Sequence, residues 1–103
     1  MQYSLSLQHL SMSEADEQLL NEKLDRLKKH LLPPYTVQIR FTRSTHHQKG
    51  DVVTCIVNIE QGGEVFHAEK DASTMQDALD EVVAALMNNL ERAHDKRKDH
   101  RPS

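Results

Sequence analysis

Seven histidines, one cysteine and thirteen Lys and Arg residues are the groups with which this 103-residue chain could do chemistry. The histidines (His9, His30, His46, His47, His67, His94 and His100) are dispersed along the sequence. None shows the His-Glu-x-x-His spacing or the Cys/His clustering of a dedicated zinc site. Adjacent His46 and His47 would point to opposite faces of a strand. Cys55 keeps step with Val53, Val57 and Ile59, which makes it a small core residue and not a nucleophile. Gly50, Gly62 and Gly63 are the only glycines and form no phosphate-cradling loop. Asp77, Asp80 and Glu81 read as acids at a helix start, not as an acid/base pair. The expectation is therefore no enzymatic activity, no metal, no cofactor and no small-molecule substrate.

The bases tell more through their position. From Glu60 to Glu81 there are seven acids and a single base, Lys70; from Arg92 to Arg101, five bases (Arg92, Lys96, Arg97, Lys98, Arg101) face only Asp95 and Asp99. Acids at a helix start and bases at its end follow the macrodipole, but five bases in ten residues exceed what a helix end needs. A basic end on a chain of formal net charge −3 suggests a local contact with something anionic.

These groups must be positioned by one small domain, since 103 residues supply one core. With 37% hydrophobic and 28% charged residues the chain reads as globular. No apolar run approaches the ~20 residues of a membrane span and no secretory signal opens the chain, so no membrane partner is expected. A lone cysteine cannot form an internal disulfide, which points to a reducing cytoplasm.

Periodicity resolves six elements. Tyr3, Leu5 and Leu7 alternate with Ser4 and Ser6 as a short strand with one buried face. Ser13 starts a helix with Asp16 as its capping-box partner; its stripe is Leu20, Leu24, Leu27 and Leu31, and Pro33-Pro34 end it. Val37, Ile39 and Phe41 mark a second strand, Thr45 to Lys49 a polar, mobile connection, and Val53, Cys55, Val57 and Ile59 a third strand. Gly62-Gly63 signals a hairpin into a fourth strand, Val65 to Glu69. Ser73 or Thr74 caps a second helix with the stripe Met75, Leu79, Val82, Val83, Leu86 and Leu90. Residues 1–95 form the domain, and 96–103 form a basic tail that frays. The fold class is α+β, in the order β-α-β-β-β-α, with a four-stranded mixed sheet and both helices on one face. Leu7 is expected in the core with the second- and third-strand residues. The arrangement is similar to double-stranded-RNA-binding domains.

On this scaffold Lys23, Arg26 and His30 fall on one flank of the first helix, Lys28 on the other, and Lys29 points outward. Asn89, Arg92 and Lys96 form a row on the second helix. Arg40 leaves the sheet on the face away from the helices, and Arg43 and Lys49 lie at or beyond the strand end. Two readings follow. In one, flank bases and tail converge on a phosphate backbone. In the other, these are solvated faces with ordinary pairing, such as Glu22 with Arg26.

The ordered run resembles the bacterial ribosome hibernation-promoting factors and ribosome-associated inhibitors, a family also labelled as sigma-factor modulators. The resemblance spans Met1 to about Lys98. It rests on Ser13-Glu14-Ala15 through Lys23-Leu24-Asp25-Arg26-Leu27, on Arg40, Arg43 and Thr45-His46, and on Gly62-Gly63-Glu64 with His67-Ala68. Met75-Gln76-Asp77-Ala78-Leu79-Asp80 is similar to the family's Asp-Met-Tyr-Ala-Ala-Ile-Asp motif, with Thr74 in place of its leading Asp. Ala85 stands at a family lysine, Asn88 at an Arg/Lys position and Asn89 at a Gln, so helix two lacks two phosphate contacts. Binding is then expected to be weaker, or shifted towards the tail and helix one.

What the resemblance implies is a short-form, cytoplasmic, stress- and stationary-phase translation inhibitor. It would bind the rRNA of the small ribosomal subunit in the mRNA/tRNA channel and block translation by occupancy. Lys23, Arg26, Arg40, Arg43, Arg92, Lys96 and Lys98 would contact the rRNA backbone. Recognition would be of RNA shape, because Tyr3, Tyr35, Phe41 and Phe66 form no stacking platform. Both inactivation of single ribosomes and ribosome dimerisation with other factors stay open. The alternative is a protein-interaction module of the same fold that has lost ribosome binding and uses its acidic side or a sheet edge.

Overall fold

A computed structural model describes residues 3–45 and 50–99, with the backbone alone for 95–99. The elements are β1 (Ser4–Gln8), α1 (Glu14–Lys28), β2 (Tyr35–Ser44), β3 (Val52–Gln61), β4 (Glu64–Ala72) and α2 (Met75–Asp99). The sheet order is β1-β2-β3-β4, with β1 parallel to β2 and the other pairs antiparallel. This is the β-α-β-β-β-α mixed sheet read from the sequence. His46, His47 and Lys49, with most of the polar connection, lie outside the described residues.

The register places every buried strand residue on one face. Val37 faces Ile59, Ile39 faces Val57 and Phe41 faces Cys55; Val57 and Ile59 in turn face Ala68 and Phe66. All are under 9% exposed and join Leu20, Leu24, Leu27 and Leu31 of α1 with Ala78, Leu79, Val82, Val83, Leu86 and Leu90 of α2 in one core. Burial of each large aliphatic side chain contributes about 1.5–3 kcal/mol. One buried polar residue sits among them: Gln61 accepts a 2.5 Å hydrogen bond from the Leu32 backbone N–H, tying the α1–β2 connection to β3.

Each helix begins where its cap permits. Ser13 and Asp16 form a reciprocal capping box, with both bonds at 3.1 Å. Thr74 Oγ1 accepts from the Asp77 N–H at 3.1 Å, so Thr74 caps α2. Helix α1 stops before the prolines, at Lys28; His30 and Leu31 then bond back three residues to the carbonyls of Leu27 and Lys28. The β3–β4 hairpin turns on Gly62 (φ 56°) and Gly63 (φ 83°), left-handed conformations that glycine takes without strain.

Three expectations change. Leu7 is 37% exposed and Leu5 38%, so β1 has no buried face. It is the edge strand at the opposite side of the sheet from β4, while α2 packs on β3 and β4. Only Tyr3 is drawn inward, its hydroxyl 3.3 Å from Asn21 Oδ1. Strand β4 runs on to Ala72 because its backbone ladder with β3 continues through Lys70 and Asp71, whose side chains do not advertise a strand. Helix α2 continues past the end of its apolar stripe, to Asp99, which puts Lys96 and Lys98 on helical backbone; the side chains there and residues 100–103 lie outside the description.

Candidate nucleic-acid interface

Helices α1 and α2 run side by side in the same direction. Along α1, Asp16 meets Gln76, Lys23 meets Asp80, and Lys29 and His30 share a groove with Leu90, Glu91 and His94. Position rises together on both helices, which is the signature of parallel packing. The topology requires it: the β1–α1–β2 crossover turns α1 against β2, and α2 returns from a β4 parallel to β2.

Parallel helices put like ends together. Glu14, Asp16 and Glu17 in the first turn of α1 lie at the same end as Asp77 in the first turn of α2. The Ser13 backbone N–H, then the Ser13 hydroxyl, holds the Asp16 carboxyl below its usual range. At the other end lie Arg26 and Lys28 in the last turn of α1, with Lys29 and His30 beyond, and Arg92 on α2. The negative pole of the α1 dipole lies here, so Arg26, Lys28 and Lys29 are favourably placed with or without a ligand, whereas α2 runs on about two turns past Arg92. The molecule, 55 × 28 × 19 Å, thus has an acidic and a basic end.

The seven bases read from the sequence do not form one patch. Arg26 is exposed near the basic end. Arg92 is exposed there too, but on the β4 flank of α2, in a cleft with Val65, Phe66, His67 and Asn89. The flank of α2 that meets α1 carries Asp80, Glu91 and His94 instead. Lys96 lies four residues beyond Arg92 and continues its row by helical spacing, as Lys98 does not. Lys23 is held between the helices, its Nζ 2.7 Å from Asp80 Oδ1, with the two side chains 22% and 50% exposed. At that exposure the pair is worth about 0–1 kcal/mol. Among the described residues Glu22 and Arg26 form no ion pair.

Arg40 and Arg43 are separated from this group and from each other. Arg40 pairs in register with Ser6 and Ile56 on the uncovered face of the sheet, above a shallow depression lined by Ser4, Ser6, Gln38 and Asn58. Arg43 lies inside β2, in step with Phe41 and opposite Val53, so it belongs to the helix side. It borders a hollow at the acidic end with Asp16, Thr74 and Gln76.

Two features were not in the sequence reading of the site. The run Lys28-Lys29-His30 lies beside the α2 end, which the parallel helix direction makes inevitable once the crossover hand is applied. Asp80 had been assigned to the α2 start, yet only Asp77 lies in the first turn and Asp80 bridges to Lys23. No sequence spacing relates residues 23 and 80. Among the described residues no group of His, Cys, Asp and Glu could hold a metal, and no helix is long and apolar enough to cross a membrane.

Among solved structures, a ribosomal subunit interface protein from Coxiella burnetii superposes with a TM-score of 0.74 at 18% identity, covering 92% of this chain and 99% of that one. The N-terminal domain of Thermus thermophilus Protein Y superposes with a TM-score of 0.71 at 15% identity, covering 89% and 98%. At these identities the likeness is one of fold. No curated protein sequence matches the chain significantly. The family described as "Sigma 54 modulation protein / S30EA ribosomal protein" matches residues 3–98, nearly the whole chain, and to this family of ribosome-associated factors the protein belongs.

Proposed function

We propose that this protein is a translation inhibitor of the hibernation type, which binds the small ribosomal subunit through the rRNA backbone in the mRNA/tRNA channel. It acts by occupying the channel in the cytoplasm, with no reaction. The observation that carries the reading, beside family membership over residues 3–98, is the parallel pairing of α1 and α2. That pairing gathers Arg26, Lys28, Lys29 and Arg92 at one end and carries the helix on to Lys98. The core of the contact is then Arg26, Arg92, Lys96 and Lys98, with Lys23 behind them. Arg40 and Arg43 contact RNA only if it wraps around two further faces. The names of the structural neighbours, a subunit interface protein and Protein Y, are consistent with this role.

Pelleting with purified small subunits through sucrose, at rising salt, tests the binding. The reading expects about one copy per subunit at low salt, released steeply as salt rises because each phosphate contact adds to the slope. The variant Arg26→Ala/Arg92→Ala/Lys96→Ala should stay in the supernatant while keeping its fold by circular dichroism. Absence of the parent protein from the pellet at low salt would overturn the proposal.

One observation favours a second reading, an interaction module. Strand β1 is an uncharged edge with Leu5 and Leu7 partly exposed, open to strand addition. Binding through it would be insensitive to salt and to the triple variant.

A further inference from the structure

Among the described side chains of the predicted set, Lys23 is the one base in an ion pair, and its partner is Asp80. Asp80 lies one and a half turns into α2, beyond the reach of the helix dipole, and the cap of that helix is Thr74. Helix-start chemistry therefore does not account for it. Its carboxylate crosses to α1 and meets the Lys23 ammonium at 2.7 Å, where both side chains still reach solvent.

We infer that Asp80 stands in for a phosphate in the free protein, and that an RNA phosphate displaces it from Lys23 on binding. This rests on the phosphate-binding reading above and adds the residue that regulates it. Carboxylate and phosphate oxygens accept the same charge-assisted hydrogen bonds from an ammonium. The flexible lysine stem lets Nζ turn from one to the other with both helices in place. The exchange has a cost. When Lys23 meets a phosphate, one condensed cation leaves the RNA as at any other contact, but the Lys23–Asp80 pair is lost and the freed, half-exposed Asp80 repels the backbone beside it. Asp80 is thus a brake on polyanion binding, and only a surface that engages the other bases overcomes it.

The test compares the parent, Asp80→Asn, Lys23→Ala and the double variant, each first checked for fold by circular dichroism. Binding is measured to small subunits across a salt series, and retention on a heparin column is measured in parallel. Removing the carboxylate should tighten subunit binding about fivefold near physiological salt, while Lys23→Ala should flatten the salt slope by about 0.7–0.9, the value of one phosphate contact. Asp80→Asn should also elute later from heparin. Both gains must shrink in the Lys23→Ala background to what relief of repulsion alone gives. A gain undiminished without Lys23 would mean a general charge effect and overturn the exchange, as would no gain at all. If Lys23-dependent retention appears on heparin but the parent ignores subunits, the exchange stands and the ribosome reading falls. If subunits bind and Asp80→Asn changes nothing, the reverse holds.

Discussion

The thiol of Cys55 lies wholly inside the core, facing Phe41 across β2 and Lys70 across β4 through the backbone ladder. Burial pushes its pKa up to about 12, because a thiolate there would lose its hydration. The nucleophilic form is thus absent at neutral pH. A thiol reagent should leave the native protein unmodified over hours and label it stoichiometrically in denaturant; rapid labelling of the native protein would show that β3 opens locally. The alternation of Val53, Cys55, Val57 and Ile59 was enough to assign this role. Asp80 was harder. Its neighbours suggested a helix-start acid, and its actual partner, Lys23, is 57 residues away in sequence and found only through helix packing.

Helix α1 depends at its start on two side chains. The Ser13 hydroxyl and Asp16 carboxylate satisfy each other's backbone N–H groups, and Ser13→Ala should cost about 1 kcal/mol in denaturant unfolding. The Asp16 carboxyl is held below its usual range by the same bonds, so its contribution is full above the ordinary carboxylate value, near 3.9, and fades as pH falls below it. The stability gap between the parent and Asp16→Asn should accordingly be level above about pH 5 and narrow as pH falls below the ordinary carboxylate range; a gap that widens in acid would contradict this. The capping box, both leucine stripes and the glycine hairpin were legible because each is a local pattern. The length of β4 was not, since pairing with β3 sets it and not its own composition. Nor was the exposure of Leu7: alternation identifies the face a residue takes, but only the sheet order shows that β1 lies at an edge beyond α2.

At the scale of the whole molecule, charge follows topology. A crossover between parallel strands and two antiparallel turns oblige both helices to run the same way, so a polarity written along the chain becomes one in space. That much of the site could be read from sequence, and Lys28 and Lys29 could have been added by the same step. The face of Arg40 was legible too, since it is out of step with Phe41; Arg43 was not, because β2 continues past the end its composition suggests and keeps Arg43 on the helix side. Arg92 lies on the β4 flank of α2, whereas Lys23 reaches from α1 to Asp80 on the other flank. Occupancy of the channel by the basic end, as proposed above, predicts competition with tRNA. Small subunits programmed with mRNA and tRNA would be titrated with the protein, and retained tRNA measured on filters. The account predicts that tRNA is lost as protein binds, reaching completion near one copy per subunit, and that the Arg26/Arg92/Lys96 alanine variant displaces none. Stable complexes carrying the protein and tRNA together would contradict it.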